Sequence, residues 1–343
     1  MKSTTIALDL ASTTIEVAVS NHPGHVHERH RLSRKRVLSF FREREPAKVL
    51  MEACGSAHYW AREIRALGHE VQLLPPHAVR PYVTRNKTDR ADAKGILEAF
   101  RNEEILPVPI KSPDQQALAA IHRLRSAWIT TRTARLNALR GCLREFGILI
   151  PLGARKVAPH VRLVLEDAQT PIPELLRPLL AQTLDELEEI ERRIHLAERD
   201  LVSVEKTHPD VERSRSIPGV GPMISTAIAA FVGDLRRFSS ARRFSSYLGI
   251  TPKEDSTGKF RRLGAISRRG DPYLRMLLIQ GAQSMLWRAR SKKDPDRVLR
   301  WALEVQRRRG TNKAAVALAN KMARMIWAVC THETTYRKEI TAS

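Results

Sequence analysis

Cysteine, aromatic side chains and acidic charge are all scarce in this chain of 343 residues. The three cysteines, Cys54, Cys142 and Cys330, are scattered and odd in number, and they match no CxxC spacing. This pattern argues against a disulfide framework and favours free thiols in a reducing cytoplasm. The GxxxxGK[ST] pattern is also absent, so no P-loop for nucleotide phosphates is expected.

Long apolar runs are missing as well. Asp9 interrupts the apolar stretch near the N-terminus, so no signal peptide is expected. The run Ala314–Ala319 is too short to cross a bilayer and is followed by Lys321 and Arg324. It predicts a core helix in a soluble protein with no membrane partner.

Positive charge is abundant and unevenly distributed. The formal net charge is +22, and residues 208–343 hold 27 Lys and Arg against 11 Asp and Glu. So large a surplus indicates a polyanionic partner, and it makes the C-terminal third the main candidate for phosphate binding.

The N-terminal third alternates between strand-like and helix-like segments. The strands are predicted at Thr4–Leu10, Thr14–Ser20, Val26–Leu32, Lys48–Glu52 and Glu70–Leu74, and the helices at Lys35–Glu45, Ala57–Leu67 and Thr88–Lys94. The order β-β-β-α-β-α-β-α is that of an α/β RNase H-like fold, in which strand ends and a late helix bring distant carboxylates together.

Two long helices are predicted next, at residues 114–147 and 174–206. The second has an apolar seam with heptad-like spacing: Leu187, Ile190, Ile194, Ala197, Leu201 and Val204. The seam fits packing on the first helix within the chain as well as packing on a second subunit.

The C-terminal part has two features that suit phosphate binding. Ile217–Pro222 is a Gly/Pro turn ahead of the apolar helix Met223–Val232, a pattern typical of a helix-hairpin-helix-like element. Lys253–Arg262 is a polar loop that contains Ser256, which from composition alone is a turn serine. The basic residues nearest these features are the candidate nucleic-acid contacts: Arg236, Arg237, Arg242, Arg243, Lys259, Arg261, Arg262, Arg268 and Arg269.

Four carboxylates have the positions that a metal site would need. Asp9 and Glu52 each close an apolar strand, and Asp89 and Asp92 are three residues apart, so they share one face of a helix. Carboxylate oxygens are preferred ligands of Mg²⁺ and Mn²⁺. In so basic a chain, their order and separation favour metal-assisted phosphodiester chemistry over helix caps or surface charges.

Several segments resemble insertion-sequence transposases of the IS110 family, and most of all its IS1111 branch. They are Met51–Arg62, Asn86–Ala93, Ile217–Pro222, Tyr247–Lys253, Asp255–Gly258 and Ile266–Arg275, and they keep the family's order along nearly the whole chain.

The resemblance implies three regions: a RuvC-like DEDD catalytic domain at 1–110, a long helical linker or dimerisation region at 111–207, and a basic, helical transposase domain at 208–343. It assigns the DEDD tetrad to Asp9, Glu52, Asp89 and Asp92, and a serine nucleophile to Ser256, with Thr257 as the alternative. It also implies recombination guided by a bridge RNA, and assembly into homodimers and tetramers.

The sequence therefore predicts a cytoplasmic, nucleoid-associated bacterial transposase that excises and inserts its own element. One alternative is a Holliday-junction nuclease in which metal-activated water attacks the DNA and Ser256 is structural. Another is a non-catalytic nucleic-acid-binding protein whose carboxylates cap helices.

Overall fold

The computed structural model describes residues 4–22, 25–83, 89–204, 208–257, 260–289 and 295–337, without the side chains of residues 89–91. The chain forms two compact units, residues 1–114 and residues 115–343. Each unit buries hydrophobic cores of its own.

A five-stranded mixed sheet forms the centre of the first unit. Its strands are β1 (Thr5–Leu10), β2 (Thr14–Ser20), β3 (Glu28–Ser33), β4 (Lys48–Glu52) and β5 (Glu70–Leu74). Its helices are α1 (Val37–Arg42), α2 (Ala57–Ala66), the single turn α3 (Pro76–Val79) and α4 (Asp89–Phe100). The predicted alternation of strands and helices is confirmed, and β2, β4 and β5 have the predicted bounds.

The strand order in this sheet is β3-β2-β1-β4-β5. Strand β1 is antiparallel to β2 and parallel to β4, which is in turn parallel to β5. One face packs on α1 and α2 through residues such as Ile6 and Val49, and the other packs on α4 through Ala7 and Leu50. Because the central strands are covered on both faces, their sequences are nearly continuous apolar runs.

Helices dominate the second unit. They are α5 (Pro113–Glu145), α6 (Val157–Glu166), α7 (Arg177–Ser203), α8 (Pro209–Arg215), α9 (Pro222–Phe231), α10 (Ala241–Tyr247), α11 (Pro272–Ala289), α12 (Arg297–Arg309) and α13 (Thr311–Thr331). A two-stranded antiparallel ribbon, β6 (Pro252–Glu254) and β7 (Leu263–Ile266), lies between α10 and α11 in the sequence.

The apolar seam of α7 is buried within the chain. Leu187 packs in one core with Leu136 and Leu139 of α5, and Leu201 packs in another with Leu118 of α5. Two ion pairs also join these helices, Arg125 with Glu198 at 2.6 Å and Arg135 with Glu186 at 2.7 Å. Of the two alternatives for the seam, packing within the chain is confirmed.

Helix α13 is the centre of the C-terminal core. Ala314, Ala315, Leu318 and Ala319 are fully buried, which confirms the predicted core helix. No helix in the described ranges is long and apolar enough to cross a membrane.

The turn between α8 and α9 has the predicted Gly/Pro character. Gly219 has a φ of +82°, and a Cβ there would collide with Met285 of α11. Glycine is therefore required both by the backbone conformation and by the packing of the turn on α11.

The predicted polar loop Lys253–Arg262 was only partly right, because its first two residues, Lys253 and Glu254, belong to strand β6 of the β6–β7 ribbon. Pro252 pairs with Ile266, and Glu254 pairs with Leu263. The strands are three and four residues long and mostly exposed, so they lack the alternating pattern that marks a longer strand. The C-terminal part was predicted to be helical, and that prediction did not include this ribbon.

Candidate functional site

Asp9 and Glu52 lie side by side on neighbouring parallel strands. The register pairs Leu8 of β1 with Met51 of β4, so Asp9 and Glu52 are the next residue of each strand. Alternate residues of a strand share a face, which puts both on the face of Ala7 and Leu50, under α4. The sheet thus brings together two carboxylates that are 43 positions apart in the sequence.

Helix α4 runs over this face in the direction opposite to β4. At its C-terminal end, the Phe100 ring lies 5.1 Å from the ammonium of Lys48, the first residue of β4. From Phe100 back to Asp92 the helix spans about 12 Å. From Lys48 to Glu52 the strand spans about 13 Å. The N-terminal end of α4, with half-buried Asp92, therefore lies towards the end of β4 where Glu52 stands.

The Cys54 thiol lies close to both strand carboxylates. Burial raises the pKa of this thiol, and the negative charges of Glu52 and Asp9 raise the pKa further. The Cys54 amide donates a 2.8 Å hydrogen bond to the Glu52 carbonyl oxygen, which fixes the chain just beyond β4. The sequence indicated only a free thiol at Cys54 and gave no sign of this neighbourhood.

Glu16 is a further carboxylate that sequence reasoning missed. It is paired with Asp9 across the β1–β2 ladder, and residues paired in this way point to the same face. Its carboxylate is engaged at 3.3 Å by Arg31 of β3. Glu16 is thus held by a cation of the same sheet.

The donor chemistry on this face fits a hard divalent cation, since its groups are carboxylates. Among the described side chains, no group of three or more His, Cys, Asp or Glu is arranged to hold a metal ion. Asp89 begins α4, but its side chain lies outside the described residues. The structure thus brings Asp9 and Glu52 together and places Asp92 near the end of α4 that lies on the Glu52 side, and it leaves Asp89 untested.

Ser256 is exposed near the tip of the β6–β7 ribbon. Its hydroxyl donates a 3.0 Å hydrogen bond to Glu254 Oε1 and accepts one of 3.2 Å from the Arg262 amide. Arg261 Nε lies 3.1 Å from the same Glu254 oxygen. The Ser256 hydroxyl is thus held between a carboxylate and a backbone donor.

The base of the ribbon is held against the helices by two glycines and an arginine. A Cβ on Gly249 would lie 2.7 Å from the Arg269 amide nitrogen, and one on Gly270 would collide with the backbone of Tyr247 and Leu248. Arg275 of α11 donates to the carbonyl oxygens of Leu248 and Gly270. These contacts orient the ribbon that carries Ser256.

The predicted nucleic-acid contacts fall into two groups. Exposed side chains are presented by Arg242, Arg243, Arg261, Arg262, Arg268 and Arg269, while Lys259 lies outside the described residues. Arg236 instead binds Asp210, Glu333 and Asp234, which together raise its pKa. Arg237 stacks over the rings of Phe238 and Tyr247, at 4.3 and 4.8 Å.

Two family models match the chain. The model DEDD_Tnp_IS110, described as "Transposase", matches residues 6–148, which include the four carboxylates. The model described as "Transposase IS116/IS110/IS902 family" matches residues 211–298, which include Ser256.

Curated relatives match the chain over nearly its full length. A "Probable family 20 transposase" from Pseudomonas aeruginosa is 42% identical over 98% of this chain and 99% of that protein. The transposase for insertion sequence element IS1328 from Yersinia enterocolitica is 34% identical over 98% of this chain and 99% of that protein. The transposase for insertion sequence element IS1111A from Coxiella burnetii is 34% identical over 97% of this chain and 91% of that protein. The chain therefore belongs to the IS110/IS116/IS902 family and is a DNA transposase.

Proposed function

We propose that this transposase moves an insertion-sequence element by phosphodiester transesterification, with a metal site on the sheet and Ser256 as the nucleophile. The observation that carries the proposal is the adjacency of Asp9 and Glu52 beneath the N-terminal end of α4. The strand order β3-β2-β1-β4-β5, with an antiparallel β1–β2–β3 part and a parallel β1–β4–β5 part, supports an RNase H-like, RuvC-like domain.

Asp9, Glu52, Asp89 and Asp92 are the residues that would hold Mg²⁺ or Mn²⁺. When bound, such ions would neutralise the charge of a phosphodiester and polarise its oxygens. The chain supplies the carboxylates from two adjacent strands and one helix, so the packing of α4 on the sheet sets their separation. Lys48 and Phe100 contribute by fixing the opposite end of this helix.

At the ribbon, the chain supplies the nucleophile and an acceptor for its proton. A serine hydroxyl is a weak nucleophile unless a neighbouring base takes its proton, and a base must lie within hydrogen-bond reach. Glu254 Oε1 meets this condition at 3.0 Å. In the proposed step the hydroxyl proton passes to Glu254 as the Oγ–P bond forms. The bond from phosphorus to the leaving deoxyribose oxygen breaks, and that oxygen takes a proton from water.

The resulting phosphoserine link would keep the phosphodiester free energy, so that strands can be rejoined without nucleotide hydrolysis. The absence of a P-loop pattern from the sequence agrees with this scheme. Thr257 is the alternative nucleophile. Its amide and carbonyl groups are paired with Phe260 across the tip of the ribbon.

A covalent adduct tests the nucleophile. The full chain is incubated with Mg²⁺ and a plasmid that carries its gene and the flanking DNA, then denatured and analysed for protein-linked DNA. We expect the wild type and Ser246→Ala, an exposed serine of α10, to form the adduct and Ser256→Ala to form none. Cleavage without an adduct would instead indicate a Holliday-junction-type nuclease. An adduct lost only in Thr257→Val would move the role to Thr257.

A bridge RNA is a proposed partner that rests on the family resemblance and on the surplus of positive charge. Sequencing the nucleic acid that copurifies with the chain tests it. We expect one discrete noncoding RNA, and random cellular RNA would contradict the proposal.

Assembly into homodimers or tetramers is proposed as well. Support comes from several large exposed leucines between residues 149 and 179, because apolar side chains exposed in a monomer can become buried in a protein interface. They are Leu149, Leu152, Leu163, Leu175 and Leu179, with exposed fractions of 56 to 91%. Light scattering is expected to give a mass of at least twice 38.9 kDa, and a monomer mass would contradict the proposal.

A further inference from the structure

The β6–β7 ribbon is open to solvent on both of its faces. Every described residue from 252 to 257 and from 260 to 265 is exposed. At the tip, Thr257 and Phe260 exchange backbone hydrogen bonds of 3.2 and 3.0 Å, which hold the two strands together there. A two-stranded ribbon is marginally stable when nothing covers it. The ribbon therefore presents its side chains from a paired backbone, with both faces accessible to a ligand.

The pairing of the two strands assigns the side chains to opposite faces. Glu254 pairs with Leu263, and Thr257 pairs with Phe260. Alternate residues of a strand share a face, so Glu254 and Thr257, three positions apart, point to opposite sides. Cross-strand partners point the same way, which puts Phe260 on the side of Thr257. Ser256 is two positions from Glu254 and bonds its carboxylate at 3.0 Å, so Phe260 stands on the face opposite the serine.

Phe260 is the most exposed aromatic residue in the part of the chain that the structure describes, with 82% of its surface accessible. In the same region, Phe238 and Phe244 are buried in the C-terminal core. A single exposed apolar side chain is common on protein surfaces, so the place of Phe260 matters more than its exposure. It lies four positions from Ser256, on the same short ribbon.

Charge contributes little on the Phe260 face. Arg262 and Asp255 lie on this face, directly opposite each other, with the Asp255 amide donating to the Arg262 carbonyl oxygen at 2.9 Å. Both side chains are exposed, and their opposite charges offset each other. On the other face, Arg261 is paired with Glu254 at 3.1 Å. Binding at the Phe260 face would therefore depend on the ring rather than on ion pairs with phosphates.

A nucleic-acid base is the group that an uncharged aromatic ring can bind on such a face. Every base has a π-face, and stacking on an aromatic side chain is tolerant of sequence. Inside a duplex, neighbouring base pairs cover both faces of a base. A protein ring can stack on a base only after that base has been unstacked or unpaired. An exposed ring beside the proposed nucleophile thus suits DNA that is locally opened.

We infer that Phe260 stacks on an unpaired base of the DNA strand that Ser256 attacks. The inference rests on the proposed role of Ser256, which identifies the bound strand as DNA. In this arrangement the strand passes over the tip of the ribbon, with the scissile phosphate on the Ser256 face and a nearby base on the Phe260 face. Phe260 is a positioning residue, because it holds the strand without touching the reacting atoms.

Binding of the single strand oligo(dU), which forms no duplex with itself, tests the inference without cleavage. All variants also carry Ser256→Ala, so no covalent link contributes to binding. We expect Phe260→Ala to bind oligo(dU) about 5- to 150-fold more weakly than the Ser256→Ala parent, the usual effect of losing one base–aromatic stack. Its affinity for a DNA duplex of the same length should change little. The slope of log K against log salt should also stay the same, because stacking releases no counterions.

Three further variants separate stacking from a general apolar effect. Phe260→Trp keeps an aromatic ring and should keep the parent affinity for oligo(dU). Phe260→Leu keeps an apolar side chain without a π-face and should bind as weakly as Phe260→Ala. Leu263→Ala is the matched control, because it removes an exposed apolar side chain from the opposite face of the same ribbon. It should bind oligo(dU) as the parent does.

Oligo(rU) carries the same base on an RNA backbone, and its affinity should fall by no more than that of oligo(dU) in Phe260→Ala. A larger loss for oligo(rU) would assign the ring to an RNA strand and overturn the inference. Unchanged oligo(dU) affinity in Phe260→Ala, full affinity in Phe260→Leu, an equal loss in Leu263→Ala, or an equal loss for the duplex would each overturn it too.

Failure of the inference and failure of the proposed nucleophile have different signatures. The nucleophile is judged by the covalent adduct, which forms or fails to form whatever the affinity for oligo(dU). An adduct lost in Ser256→Ala together with unchanged oligo(dU) binding in Phe260→Ala would reject the stacking role alone. Weaker oligo(dU) binding in Phe260→Ala together with an adduct that persists in Ser256→Ala would reject the nucleophile alone.

Discussion

At the scale of single residues, the Ser256 hydroxyl differs from an ordinary turn serine in its two partners. Glu254 Oε1 accepts its proton at 3.0 Å, and the Arg262 amide donates to its oxygen at 3.2 Å. The sequence suggested Ser256 only through family resemblance. It gave no sign of Glu254, because the pairing depends on where the short ribbon begins.

The role of Glu254 predicts a rate effect. Glu254→Gln removes the proton acceptor and keeps the side-chain shape, so covalent adduct formation should slow by about 10²- to 10⁴-fold, the usual contribution of a general base. The control is Asp255→Asn, which neutralises the neighbouring exposed carboxylate. Single-turnover adduct formation measured across pH checks the prediction. Equal rates for Glu254→Gln and Asp255→Asn would show that Glu254 is not the base.

His122 of α5 illustrates what a sequence cannot reveal about one residue. It is fully buried, with its ring nitrogens 3.0 Å from the Tyr273 hydroxyl and 3.0 Å from Thr226 Oγ1. These partners are 151 and 104 positions away. Burial and the nearby charge of Arg125 lower its pKa from 6.5 to about 4.

This lowered pKa predicts a pH dependence of stability. Between pH 6.5 and about 4 the unfolded state binds a proton at this position and the folded state does not, so the free energy of unfolding falls as the pH falls through this window. The full effect is roughly 3 kcal/mol. Urea unfolding at a series of pH values should show this slope in the wild type. In His122→Phe the free energy of unfolding should fall less steeply between pH 6.5 and about 4. Identical pH dependence in the variant and the wild type would contradict the prediction.

At the scale of secondary-structure elements, the ribbon depends on its anchor. Gly249 and Gly270 allow the backbone at its base to approach the end of α10, and Arg275 bonds two carbonyl oxygens there. The sequence shows the glycines but not the backbone that each one faces.

The anchor predicts a difference between two glycines of the same region. Gly270→Ala should lower the free energy of unfolding by about 1–3 kcal/mol, because the new Cβ collides with the backbone of Tyr247 and Leu248. In Gly264→Ala of β7 the nearest atom outside the adjoining residues is 3.9 Å away, so little change is expected. Chemical denaturation checks both variants, and equal stabilities would contradict the proposed anchor.

Strands and long helices were predictable because their periodicity is local. Strands β2, β4 and β5 have the predicted bounds, and α5 and α7 differ from the predictions by only a few residues at each end. The partner of the α7 seam was not predictable, because heptad spacing is the same for packing within a chain and between chains. The structure buries the seam against α5.

At the scale of the whole molecule, the sequence predicted carboxylates on strand ends and on a helix. It could not show that they share a face, because that depends on the β1–β4 register and on the direction of α4. A shift of one residue in that register would move Glu52 to the opposite face of the sheet from Asp9. Asp9, Glu52 and Asp92 now have defined positions, whereas the roles of all four carboxylates and of Ser256 remain predictions.

The most direct test of the account is Mn²⁺ binding to the full chain, measured by calorimetry without DNA. The control is Glu70→Gln, which removes a carboxylate at the start of β5. The account predicts that this variant and the wild type bind Mn²⁺ with the same affinity. Asp9→Asn and Glu52→Gln should each weaken binding at least 10-fold, because each removes a ligand. Wild-type affinity in both of these variants, or no binding by the wild type, would contradict it.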